Sequence, residues 1–174
     1  MRKTLPVLAG AALILAAMAT PAFASGIGST TAIIELSGGT LDISVPAGPV
    51  ALASGAVTAD SVSGRLGTVT VTDTRAADPA SWTASVSATP FQNGSHALGA
   101  ASYDTGVVSS TGIPISQFTI TSPVTLSTTP QAVVTLNPTS SGNNTASWDP
   151  TITVAIPAGS VAGAYTSVIT HSVI

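Results

Sequence analysis

Apolar and polar positions alternate in two runs along residues 67–91, GTVTVTDTRAADPASWTASVSATPF. Thr68, Thr70 and Thr72 alternate with Val69 and Val71, the two-residue period of a half-buried strand. Asp73-Thr74-Arg75 closes that run, and residues 76–80, with Asp78-Pro79 among them, predict a turn. Trp82, Ala84 and Val86 then share one face of a second strand, with Thr83 and Ser85 on the other. A similar run, TSVITHSVI, occupies residues 166–174 and sets Tyr165, Ile169, His171 and Val173 on one face.

Val, Ile and Thr dominate the rest of the chain, and clusters of Gly, Pro, Ser and Asn interrupt them at short spacing. Strands are expected over 31–36, 41–45, 68–72, 81–87, 117–121, 132–136, 151–156 and 165–173. Turns are expected at 37–39, 46–49, 92–94, 137–138, 140–144 and 157–159. No stretch of ten or more residues beyond the first 24 keeps a helical period. The expected class is all-β: an antiparallel two-sheet β-sandwich, Ig-like in general architecture, with a closed barrel as the structural alternative.

Residues 1–24 have a different pattern. Arg2 and Lys3 precede an apolar stretch from Leu5 to Ala19, and Ala22-Phe23-Ala24 fits a small-x-small cleavage site. This predicts a secretory signal peptide over 1–24 and a single exported domain over 25–174. The apolar stretch is short for a bilayer span. No cysteine follows it to accept lipid, and no second apolar run is long enough to cross a membrane, so the mature form is expected to hold no membrane anchor.

Removal of residues 1–24 leaves 150 of the 174 residues, enough to bury roughly 70% of the unfolded surface. Two basic residues remain, Arg65 and Arg75, against seven acids, a net charge of −5 with no lysine. That balance offers no footprint for nucleic acid and little attraction to anionic lipid or polyanionic polymers. The absence of cysteine excludes disulfides, and the absence of mature lysine excludes Lys–Asn and Lys–Asp isopeptide crosslinks. Burial and backbone pairing must hold the fold, and attachment to a cell is expected to be non-covalent.

The residues offer little catalytic chemistry. The two histidines, His96 and His171, lie in a polar loop and a strand, and no serine sits in a Gly-x-Ser-x-Gly elbow. No His-x-x-x-His or Cys pair supplies metal-ligand spacing, and Asp73 and Asp78 read as turn-forming acids. The expectation is no enzyme activity, no metal and no cofactor. Asp73 and Arg75, two apart at a strand end, point the same way. Arg75 either binds a ligand or forks onto Asp73 and loop carbonyls to pin the turn at 76–80, and the second reading is favoured.

Together these segments resemble the WxL domain of Gram-positive surface proteins. The resemblance rests on Val69-Thr-Val-Thr-Asp-Thr-Arg75, the turn after it, Ser81-Trp-Thr-Ala84, Phe91, Ala97-Leu-Gly-Ala100, and Ala158-Gly-Ser-Val-Ala-Gly-Ala-Tyr165 with the run to Val173. It covers most of residues 25–174. The first Trp-x-Leu motif reads Trp82-Thr83-Ala84, and at the second His171 and Val173 stand for Trp and Leu. The resemblance is thus to a divergent, actinobacterial relative. It implies an exported all-β protein held at the cell wall through peptidoglycan, beside partner surface proteins. The altered motifs weigh against carrying over wall binding more than against carrying over the fold.

Two placements of the motif remain open. Trp82 and Ala84 on one strand, with His171 and Val173 on another, interdigitate across a core if the strands pair. Alternatively Trp82, His171 and Tyr165 line a partly exposed surface where aromatic faces stack on sugar rings. Two functions follow: a non-catalytic module that binds peptidoglycan, or an assembly subunit that joins a partner surface protein through a strand edge or apolar patch.

Overall fold

The computed structural model describes residues 28–139 and 142–174. The chain divides into two units, residues 1–35 and 36–174. The expected signal peptide lies outside the described residues. Of the first unit only 28–35 is described, and it is exposed with no regular element.

The second unit is all-β, and every sheet is antiparallel. Its strands are β1 Leu41–Ser44, β2 Ser61–Arg65, β3 Val69–Asp73, β4 Ala80–Ala88, β5 Gln92–Asn93, β6 His96–Ala97 and β7 Ala101–Asp104. They continue as β8 Ser109–Thr111, β9 Phe118–Ile120, β10 Val124–Thr125, β11 Gln131–Thr139, β12 Asn144–Trp148, β13 Thr151–Ala155 and β14 Ile169–Val173. One 3-10 turn, Ile115–Gln117, is the helical element among the described residues. Three four-stranded sheets run in the orders β1-β3-β12-β8, β10-β7-β13-β2 and β14-β4-β11-β9, with a small hairpin β5-β6.

The first two sheets share three interrupted strands. Trp148 faces Val69 and Thr151 faces Arg65, and the Leu66 N–H donates to the Pro150 carbonyl at 2.9 Å between them. Thus β2 runs on into β3 beside β12 and β13, and β7 runs on toward β8 on the other flank. Gly67, with φ 101°, makes the break between β2 and β3, and its N–H donates to Asp149. Asp149 also pairs with Arg65 at 2.9 Å, an exposed ion pair of small energetic weight.

Strict alternation explains the best-formed strands. In β4, Ala80, Trp82, Ala84, Val86 and Ala88 are buried while the residues between them are not. Val69, Val71 and Asp73 are the buried positions of β3. In β11 the register shifts between Ala132 and Val134, so Val133 and Val134 both turn inward; a bulge produces such consecutive inward residues. The apolar side chains among these join Tyr103, Leu136, Trp148, Ile152 and Val154 in one core cluster.

Several expected elements differ. Residues 31–36 form no strand, and Ile33, Ile34 and Leu36 are 82%, 85% and 94% exposed. The segment is rich in β-formers, but no described strand pairs with it. The last strand begins at Ile169 rather than Tyr165. Asn144, expected in a turn, opens β12, and residues 140 and 141 of that turn lie outside the described residues. Gln92 and Asn93 belong to the hairpin, which turns at Gly94 with φ 60°.

Gly64 controls how the segment 46–57 lies on β2. A Cβ there would collide with the Leu52 carbonyl. Gly64→Ala is therefore expected to lower stability by about 1–3 kcal/mol, the usual cost of overpacking. An unchanged urea midpoint would mean that Leu52 moves aside freely.

Candidate functional site

The strand end that carries Asp73 and Arg75 is a closed clamp. Arg75 Nε and Nη2 donate to the two carboxylate oxygens of Asp73, each at 3.0 Å. Nη2 also reaches the Ser81 carbonyl at 2.8 Å, and the Arg75 backbone N–H donates to Asp73 Oδ1 at 3.0 Å. The guanidinium thus ties the end of β3 to the start of β4 across the turn, whose Ala76 adopts φ 53°. Hydrogen bonds from Arg75 hold the Asp73 carboxyl below its ordinary range against the opposing effect of burial. This is the pinning geometry, with the guanidinium fork spent on the protein itself. Asp73→Asn should keep the shape but lose the charge-assisted bonds, at about 1–3 kcal/mol. Thermal unfolding of the variant at neutral pH is the measurement, and an unshifted Tm would remove the clamp from the account of stability.

Trp82 sits beside this clamp inside the protein. It is 3% exposed, its indole N–H donates to Asn144 Oδ1 at 2.9 Å, and its ring meets Phe118 edge-on at 5.6 Å between centroids. A ring so enclosed presents no face to a sugar. The physical reason is its place on the inward face of β4, where Ala80, Ala84, Val86 and Ala88 are buried with it in the core.

His171 is the second expected binding residue, and it too turns inward. Strands β4 and β14 do pair, with Val173 opposite Ala84 and His171 opposite Val86. The two motif-like triplets therefore lie on neighbouring strands. His171 Nε2 lies 3.0 Å from the Tyr103 hydroxyl, which accepts the Trp148 indole N–H at 2.7 Å. Tyr103 is fully buried, and burial pushes its phenol above the ordinary range. Burial pushes His171 down to about 4, so the imidazole is neutral near pH 7 and Nε2 accepts the Tyr103 O–H. The triad links the sheets that hold β7, β12 and β14. The His171 side chain is thus tied through Tyr103 to the indole of Trp148 in the core.

Tyr165 has a different setting. It is partly buried, and its hydroxyl donates to the Val161 carbonyl at 2.8 Å. It lines a groove of about 780 Å³ between the segments 46–57 and 160–167. Val62 and Gly64 of β2, Ile152 and Val154 of β13, and Ile169 of β14 form other parts of its wall. Among the described residues no three His, Cys, Asp or Glu side chains cluster as a metal site.

No protein-family model, curated protein or solved structure matches this chain.

The last strand, β14, contributes Ile169 to the groove wall. Ile174 and Thr83 exchange two backbone hydrogen bonds, at 2.9 and 3.1 Å. Antiparallel alternation then directs the N–H and C=O groups of Thr170 and Ser172 to β4, and those of Ile169, His171 and Val173 away from it. Strand β14 stands at the end of its sheet; β4 is its one hydrogen-bonded strand partner among the described residues, and β1 of another sheet packs close against it. Its sequence, Ile-Thr-His-Ser-Val, holds no Lys, Asp, Glu or Pro to guard the edge. The edge strands β1 and β2 carry Asp42 and Arg65, whereas the edge strands β8, β9 and β10, of two or three residues each, are uncharged as well.

Sequence reasoning passed over Tyr103, Trp148 and Asn144. Their signal was compositional: with two Trp and two Tyr in the chain, a buried indole or phenol needs a polar partner. The groove walls, built from Ala, Gly, Ser and Val in irregular segments, left no periodic trace.

Proposed function

We propose that this chain is an exported, non-catalytic cell-surface protein that joins a partner protein through the groove between the segments 46–57 and 160–167. We read the sheets as two stacked layers, a sandwich of Ig-like general architecture, with the interrupted sheet pair facing the sheet that holds β4. The groove carries the functional reading. Its walls of Val62, Ile152, Val154 and Ile169 receive apolar side chains of a partner. The signal-peptide pattern supports export, and the resemblance to WxL domains supports a place at the cell surface among partner proteins.

Peptidoglycan binding is the second reading, favoured by Tyr165 in the groove wall, within the segment that carries the resemblance. The enclosure of Trp82 and His171 weighs against it. Purified residues 25–174 mixed with insoluble peptidoglycan and pelleted across a salt series separate the two. The protein is expected to stay in the supernatant. Retention that persists through moderate salt and ends in chaotrope would instead establish a non-ionic wall contact, since two arginines release few counterions.

A further inference from the structure

The β5–β6 hairpin ends in a two-residue turn, Gly94-Ser95, between the paired residues Asn93 and His96. Gly94 has φ 60°, and a Cβ built on it would meet nothing within 4 Å, so the tip stands open to water. Its N–H makes no backbone hydrogen bond among the described residues. Asn93 directly precedes it, half-buried, with its carboxamide nitrogen in the space that a Cβ on Gly163 would fill. That contact ties the hairpin to the segment 160–167, which walls the groove. Gln92 and Thr166 add two exchanged backbone hydrogen bonds, both at 2.9 Å. The other three asparagines differ. Asn137 precedes Pro138, which has no N–H. Asn143 and Asn144 precede residues that carry a Cβ, and Asn144 is 4% exposed with both carboxamide atoms hydrogen-bonded.

We infer that Asn93 is a site of spontaneous deamidation, and that its conversion loosens the segment 160–167 at the groove. Glycine has no Cβ to hinder its own nitrogen, and attack within one chain avoids the entropy cost of bringing two molecules together. Hydroxide takes the Gly94 N–H proton, and the nitrogen attacks Asn93 Cγ. The bond from Cγ to Nδ2 breaks, and Nδ2 leaves as ammonia with a proton from water. One water then opens the five-membered succinimide. Attack at Cγ gives aspartate. Attack at the backbone carbonyl carbon gives isoaspartate, whose main chain runs through the side chain and is one carbon longer. Either way one amide becomes one carboxylate, so the net charge of residues 25–174 goes from −5 to −6. The described residues that line the groove carry no charged side chain. The new carboxylate stands against Gly163 of that wall, where the amide nitrogen stood. In the isoaspartyl form the longer main chain also shifts Gln92 against Thr166, away from the register that their two hydrogen bonds need. The inference goes beyond the partner-protein reading: it concerns the state of the groove wall, whatever occupies the groove.

The test ages purified residues 25–174 in mildly alkaline buffer and follows them by anion-exchange chromatography and peptide mapping by mass spectrometry. Wild type is expected to yield a more acidic species modified at Asn93, as aspartate and isoaspartate, while Asn137, Asn143 and Asn144 stay amides. Asn93→Gln, in which the same attack would close a larger ring, should remain a single species under the same conditions. A urea midpoint matching wild type verifies that it folds. Hydrogen exchange of the separated forms reads the second half of the inference. The Gln92 and Thr166 amides should exchange about tenfold faster or more in the isoaspartyl form than in the unmodified protein, with the β4 and β11 amides unchanged. An Asn93 that stays intact, or conversion spread evenly over the four asparagines, would overturn the site. Conversion at Asn93 with unaltered exchange at Gln92 and Thr166 would overturn the loosening. Both readouts use the protein alone, so neither failure bears on what the groove receives.

Discussion

Trp82→Ala is expected to cost about 3–5 kcal/mol, the usual range for truncating a large buried aromatic side chain. The indole is enclosed, meets Phe118 edge-on and holds Asn144 through its N–H. Removing it leaves a cavity beside β4 and takes the donor from Asn144 Oδ1, in a residue that is itself 4% exposed. An unsatisfied buried polar group adds about 1–3 kcal/mol. Trp82→Phe should recover much of the packing and none of the hydrogen bond, and so fall between the two. The measurement is the urea midpoint of residues 25–174. Equal midpoints for wild type and Trp82→Ala would place the indole outside the stabilising core.

Mild acid should have a comparable effect through His171. In the unfolded chain its imidazole takes a proton near pH 6.5, whereas burial holds the folded value at about 4. The unfolded state therefore binds more protons between these values, and stability falls as pH drops through that window. Above pH 6.5 the penalty is absent, and by pH 4 it reaches about 3 kcal/mol. The chemistry agrees. A protonated Nε2 is a donor, so Tyr103 oxygen would face the N–H groups of both Trp148 and His171, leaving its own hydrogen without His171 as acceptor. Below pH 4 the Asp73 carboxyl, whose folded value is depressed, adds a further loss as it takes a proton. Urea titrations of wild type and His171→Phe from pH 7 to 4 provide the check. A wild-type slope no steeper than that of His171→Phe would show that His171 is not the group responsible.

What the sequence displayed was local order. Alternating Thr and Val, and Trp82, Ala84 and Val86, disclosed β3 and β4 because each has one buried and one outer face. The Asp73–Arg75 clamp was legible for the same reason: two residues apart on a strand end, they had to point together. Residues 31–36 show the limit, since β-prone composition does not disclose whether a partner strand exists. Strands β5, β6, β8 and β10 are two or three residues long and hold no period to detect. Ser61–Arg65 was hidden by its serines and Gly64, and Asn144–Trp148 by the turn-like Asn that opens it. Trp82 and His171 were visible as unusual residues on one face of their strands. Whether that face met solvent or another sheet was a tertiary fact, decided by strands distant in the chain.

That distance governs when the protein becomes a protein at all. β2 finds its partner in β13, β3 in β12, and β4 in β11 and β14, so each four-stranded sheet joins early strands to late ones. Nothing near the start of the domain closes a sheet by itself. A nascent chain has no finished sheet to fold around until residues beyond 130 have emerged, and contacts so separated in sequence form on millisecond-to-second timescales. On the export reading proposed above, the strand order is itself a delay. It leaves the polypeptide threadable while it is being made and transported, and lets it set only after the late strands have arrived.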